Sequence, residues 1–433
     1  MGAVLVTSML AACSGPGPPE PADSGKTLGP VLNTAVPVED QAHLAASHSA
    51  ATDPAFPAPG SGNEAALQLE ALLGQHSILA ADMMRARIRQ DADLAQSADA
   101  ALGQNTEALA GLLKPVIGAP AGDQFAEAWA EHVQALFSYA SALASADADG
   151  REDAHHELVE YEEDLAQFFA NQSHGRLDRT AALAAVRVHV DHLVDGADAY
   201  AAKKYPVAAG SYRHAYSHSF ELGADLARAL LPAKVGTALE SPALTLRSTL
   251  TRLLGEHVAL VIAAMRSAAG DRADFAAMGA AVNANTLDLT AAFDSLFGPS
   301  AARGFQTRWA DHVDQLMAYT SATIKPDAAG QEAARRSLRE VEKSFASFLN
   351  TATENRLGEP ALTQGLVLHD RMLLAEVDAY AAGKFQQAQD LAQQTAGDMF
   401  TLARQLSGAI GATLGARLPR GGSQTGGGGT AVG

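Results

Sequence analysis

A single cysteine, Cys13, among 433 residues leaves no partner for an internal disulfide, so the fold must rest on packing. Basic residues are the minority, 31 against 49 acidic, and the net charge of −18 repels a phosphate backbone instead of releasing its counterions. Nucleic acid is thereby excluded as an expected partner. Aromatics make up only 6% of the chain, with two tryptophans, and alternating β-branched stretches are missing, so no strand is expected. No glycine-rich phosphate loop follows a strand and no Gly-x-Ser-x-Gly elbow occurs, so the chain is expected not to be an enzyme. The paired carboxylates Glu162 and Glu163 are expected on a charged, solvated helix face.

Hydrophobic residues nevertheless amount to 47%, enough for well-filled cores. Laying the chain on itself reveals a tandem duplication. Phe125, Trp129, His132, Leu136 and Tyr139 reappear 180 positions later as Phe305, Trp309, His312, Leu316 and Tyr319. Asn105-Thr106 likewise matches Asn285-Thr286, and Asp198-Ala-Tyr200 matches Asp378-Ala-Tyr380. Leu73-Gly-Gln-His76 matches Leu254-Gly-Glu-His257 at an offset of 181. The fold class expected is all-α, with two bundle units of about six helices each, over 64–232 and 242–413. Each unit is of single-domain size, and two prolines at the junction, Pro232 and Pro242, predict separately folded halves. In the second unit the stop signals place helices near 244–269, 275–297, 301–324, 331–350, 361–382 and 385–410. A Pro-, Ala- and Gly-rich stretch over 13–63 reads as a flexible tether, and 414–433 as a disordered tail.

The first residues form a short apolar run ending in Leu10-Ala11-Ala12-Cys13, too short to span a bilayer and shaped like a signal peptide over 1–12. This end resembles a bacterial lipoprotein signal. The resemblance implies diacylglyceryl transfer to Cys13, cleavage before it, and a protein held by its N-terminal lipid on the outer face of a membrane, in the cell envelope. The two units resemble an uncharacterised helical domain of exported bacterial proteins, sometimes found beside copper amine oxidase N-terminal-like domains. The residues that carry this resemblance are Leu253-Leu254-Gly-Glu-His257, Asn285-Thr286, Phe305, Trp309, His312, His369 and Asp378-Ala-Tyr380. It implies an exported all-α protein and no particular activity.

Histidines on apolar helical stripes are the candidate site. In the first unit these are His76, His132, His189 and His218, one on each of four helices; in the second they are His257, His312 and His369. Facing helices can aim such rings at one point, as metal sites in bundle cores do. Met84 and Met265, each eight residues beyond the first-helix histidine, add a thioether on roughly the same face. Imidazole with thioether suits copper, while imidazole alone also suits zinc, iron or haem. Four imidazoles against three predict tighter binding in the first unit. The competing expectation is a polar network in which Asn105, Thr106, Tyr139 and their second-unit counterparts hydrogen-bond the rings, in a non-catalytic envelope scaffold with an unidentified protein partner. His155, His156 and His174, beside acidic residues, are expected in solvent, and His192 and His214, lacking second-unit counterparts, stand outside the core set.

Overall fold

Runs of alanine and leucine punctuated by Gly, Pro and Asp pairs favour long helices with abrupt ends. The computed structural model describes residues 56–417, of which thirteen α-helices and no strand make up the regular structure. The expected signal peptide with Cys13, most of the expected tether and residues 418–433 lie outside the described residues.

The first repeat comprises α1 (Gly62–Ile88), α2 (Ala92–Ile117), α3 (Ala119–Ser145), α4 (Ala148–Gln172), α5 (Arg179–Ala201) and α6 (Tyr205–Leu230). After the short α7 (Ala233–Leu239) come α8 (Pro242–Ala269), α9 (Phe275–Phe297), α10 (Pro299–Ile324), α11 (Ala328–Ala352), α12 (Glu359–Ala381) and α13 (Phe385–Arg417). The six expected helices of the second repeat are therefore all present. The junction differs from expectation in holding a helix, and α10 and α12 begin two residues earlier than the stop signals suggested. Pro299 and Pro360 sit in the first turn, where the missing N–H breaks no intrahelical bond, so proline opens these helices instead of preceding them. At the other end α13 runs to Arg417, past the expected helix end near 410 and the expected repeat limit of 413.

Short turns make consecutive helices antiparallel neighbours, and α1 is the element around which the first repeat is assembled. It packs on α2, α3, α5 and α6, while α1, α3 and α5 touch one another pairwise as a triangle. The second repeat repeats this with α8, α10 and α12. Asn105 secures the register by donating to the Leu72 carbonyl at 3.0 Å and to Gln75 at 3.2 Å. Its counterpart Asn285 donates to the Leu253 carbonyl and to Glu256, at 3.1 and 2.9 Å.

The repeats are not beads on a string. Contacts run between α1 and α8, between α2 and α13, and between α6 and α9. The last two are the same pairing with the repeats exchanged, so an approximate two-fold relates the halves. Apolar side chains of both repeats belong to one continuous buried cluster, from Phe56 to Ile410. Phe56, just before α1, stands edge-on to Phe400 of α13 at 5.4 Å between centroids. By length and composition α8 is long and apolar enough to cross a membrane, but 72% of its most apolar window is buried inside the fold, as expected of a core helix.

Candidate metal centres

Each triangle of helices carries one histidine per helix, and the three rings meet at its centre. His76 comes from α1, His132 from α3 and His189 from α5; all three are buried, with no more than 1% of their surface exposed. The second triangle brings His257, His312 and His369 together from α8, α10 and α12. Within each triad one nitrogen from every ring lies within 4.8 Å of the other two. The heptad-like steps of the stripes explain the convergence: Phe125, Trp129, Leu136 and Tyr139 bury the same face of α3 that carries His132.

In the first centre the converging atoms are Nε2 of all three rings. His132 Nε2 is 3.3 Å from His76 Nε2 and 3.4 Å from His189 Nε2. Three nitrogens bound at about 2.0–2.1 Å in a tetrahedral arrangement stand about 3.3–3.4 Å apart, so His132 is already at ligand spacing from each of the other two rings, and the whole triad lies within 4.8 Å. Their outer nitrogens determine which tautomers are possible. Ser219 Oγ lies 2.8 Å from His189 Nδ1 and 2.5 Å from Ser77 Oγ, which in turn is 3.4 Å from the Leu73 carbonyl. A chain donating from His189 Nδ1 through both hydroxyls to that carbonyl leaves a lone pair on His189 Nε2. His132 stacks on Tyr161 at 4.5 Å with planes 12° apart, and its Nδ1 has no partner. His76 is the opposite case. Its Nδ1 accepts from the Trp129 indole N–H at 3.0 Å, so in the neutral ring Nε2 carries the proton. A metal on His76 Nε2 would move that proton to Nδ1, where it would meet the indole donor.

The second centre is free of that conflict. Among the described residues Trp309 Nε1 makes no hydrogen bond, and His257 has no partner on either nitrogen. His312 Nδ1 instead lies 3.2 Å from Asp370 Oδ1, at an angle short of a straight hydrogen bond. Burial alone would raise the Asp370 carboxyl, but the His312 and His369 rings and a hydrogen bond from Glu342 hold it below its usual value. Glu342, desolvated and beside Asp370, is pushed up to about 8 and keeps its proton at neutral pH. A carboxylate behind a histidine is the arrangement that orients metal-ligating imidazoles.

Burial, then the neighbouring rings, hold His76, His132, His189 and His257 well below the ordinary imidazole value. His369 is lowered to about 4, mainly by burial, with Asp370 opposing and His312 reinforcing the shift. These rings are therefore neutral at pH 7, the form that binds a metal.

Several expectations need correction. His218 lies outside the first centre: its Nε2 donates to the Ala185 carbonyl at 2.9 Å, and its neighbour Ser219 is the residue that reaches His189. One residue along a helix turns a side chain by about 100°, enough to trade core for surface. Each centre thus has three imidazoles, and a count no longer ranks them. Met84 lies roughly 12 Å along α1 from His76 at the helical rise and lines a separate cavity with His192 and Tyr212, so no thioether completes the first centre. Asn105, Thr106 and Tyr139 bond to backbone, Gln75 and Asp198, and none of them bonds a histidine. Glu162 is not on a solvated face; it is 3% exposed and accepts from Arg187 at 3.1 Å, while Glu163 is exposed. His155, His156 and His174 are exposed as expected.

The partners overlooked in sequence are Trp129, Ser77, Ser219, Asp370 and Glu342. One signal was available for Glu342: it matches Glu162 at 180 positions, and both share a stripe with Leu158 or Leu338. Compared with protein-family models, with curated proteins and with solved structures, the chain finds no match in any of the three.

Proposed function

We propose that the protein binds a transition-metal ion in each repeat through the triads His76, His132, His189 and His257, His312, His369, with reduced copper as the preferred ion. The observation that carries the reading is the pair of buried triads whose ring nitrogens face one another and are not fully used by protein partners. In the second centre, where His257 has no partner on either nitrogen, a buried imidazole nitrogen left alone costs about 1–3 kcal/mol, and an ion bound there would remove that cost. The preference for copper rests on charge. Moving an ion from water into an apolar interior carries a penalty that rises with the square of its charge, so a monovalent ion is the least costly guest of neutral imidazoles. In the second centre Asp370 would balance that single charge. On the same reading the chain is carried on the outer face of a membrane by lipid on Cys13, where it would meet metal ions directly.

The second reading, an envelope scaffold with structural histidines, draws on one observation, the Trp129 to His76 hydrogen bond in the first centre. Metal analysis of the full chain purified without an affinity tag separates the two. Up to one equivalent per repeat is expected, with saturable binding of Cu(I) tighter than about 10 μM. Binding should weaken on acidification as the rings protonate. His312→Ala should remove the second equivalent. Absence of saturable binding of copper and zinc alike would leave the scaffold reading. For the anchor, Cys13→Ser should leave the membrane fraction; a variant that fractionates with membranes like the parent would sink that part.

A further inference from the structure

A second group of histidines lies outside both triads, on the solvent side of the first repeat. His214 and His218 stand four residues apart on α6, so their side chains leave the same helix face. His192 of α5 comes up beside them, with ring centroids 5.7 Å from His214 and 5.8 Å from His218. These separations lie within the 5.4–6.2 Å found between rings of the buried triads. The nitrogens themselves are spread more widely than in those triads, and closing on an ion requires His214, which is exposed, to turn about its side-chain bonds.

One ring is already fixed in a ligand-ready form. A carbonyl oxygen can only accept, so the 2.9 Å contact from His218 Nε2 to Ala185 means that Nε2 carries the proton and Nδ1 keeps its lone pair. An imidazole anchored on a backbone carbonyl through its far nitrogen is the support metal-ligating histidines commonly have. Partial burial, followed by the two adjacent rings, lowers His192 below the ordinary imidazole value, while Asp195 and Asp191 pull the other way. Those two carboxylates also add negative charge beside the cluster. The second repeat has no counterpart, because the matching positions hold Met372, Gln394 and Asp398.

We infer that His192, His214 and His218 form a third metal site, open to solvent and confined to the first repeat, which takes a divalent transition ion such as Ni²⁺, Zn²⁺ or Cu²⁺ and leaves its remaining positions to water. Neutral imidazole suits these ions, and an open position suits a site that exchanges metal with solution. The site shares no residue with the buried triads and stands whether or not they bind.

Ni²⁺ immobilised on a resin can reach only surface rings, so chromatography of the untagged full chain at about pH 7.5, above the imidazole range, reads this site beside the other exposed histidines and leaves the buried triads out. The parent should be retained, and the double variant His192→Gln/His214→Gln should pass through with unchanged helicity and melting. His155→Gln/His156→Gln, which alters two other exposed histidines, should be retained like the parent. In solution, titration with Zn²⁺ should show one class of binding weakened at least about tenfold in the His192/His214 variant, with any buried classes untouched. A parent that is not retained overturns the inference. So does retention that survives the His192/His214 change, or retention lost with His155 and His156.

Discussion

At the scale of single residues, the two centres differ in what stands behind the ligands, and the difference can be measured. Asp370 has Val190 as its first-repeat counterpart, so only His312 has a carboxylate at its outer nitrogen. Asp370→Asn should weaken metal binding in the second centre about 10–100-fold, the usual cost of removing such a partner, while leaving the first unchanged in the same titration. His257 offers a second test, in the metal-free protein. Both of its nitrogens are buried and unpartnered, so His257→Leu should cost less than about 1 kcal/mol or even stabilise, whereas a structural role would make the change costly. The same variant should be less sensitive to acid. A histidine lowered in the folded state gives stability that is full above its unfolded value and lost as the pH falls towards the folded one; for His369 the window is 6.5 to about 4, on the order of 3 kcal/mol. Glu342, raised to about 8, acts in the opposite sense as the pH rises from 4.5. The comparison is therefore the slope of the variant against the slope of the parent, followed by chemical denaturation from pH 7 to 4.

At the scale of helices, α1 and α6 approach more closely than any side chain would allow. A methyl group on Gly223 would stand 2.5 Å from the Glu70 Cα and 2.9 Å from the Leu69 carbonyl oxygen, both backbone atoms that cannot swing aside. Gly223→Ala should therefore push α6 off α1 and cost about 1–3 kcal/mol, read as a lower melting temperature. The second repeat carries Ala403 at the matching position, fully buried, so its α8–α13 pair already accommodates a methyl there. Ala403→Gly should leave a small void and a modest loss, and a Gly223→Ala protein as stable as the parent would show that the seam yields. Ser77 and Ser219, one from each helix of the tight pair, form the hydroxyl chain behind His189, so displacement of α6 should also disturb the first centre before the second.

At the scale of the molecule, the halves are joined by apolar packing and by paired charges. Arg247 of α8 makes a two-pronged contact with Glu64 of α1 at 2.6 Å for each arm, with about a tenth of each side chain exposed. Arg213 of α6 bridges Glu256 and Asp288 of the second repeat, both at 2.7 Å. Glu64→Ala would strand the Arg247 guanidinium and should cost about 2–3 kcal/mol. Because one core runs through both repeats, scanning calorimetry of the full chain should show a single cooperative transition, and two resolved transitions would mean that each repeat melts alone.

Periodicity and self-similarity within the sequence determined the all-α class, the duplication, and six of the seven core histidines, because a residue's place on an apolar stripe depends only on its own helix. His218 and Ser219 mark the limit of that logic: both sit near the edge of the α6 stripe, and which of them faces the core depends on how α6 rotates against α1 and α5. Likewise Asp370, Trp129 and Ser77 acquire their roles only across helix pairs, through contacts that no spacing within one helix encodes. Tertiary packing alone decided which nitrogens face one another, which keep their protons, and that two similar repeats enclose unlike centres.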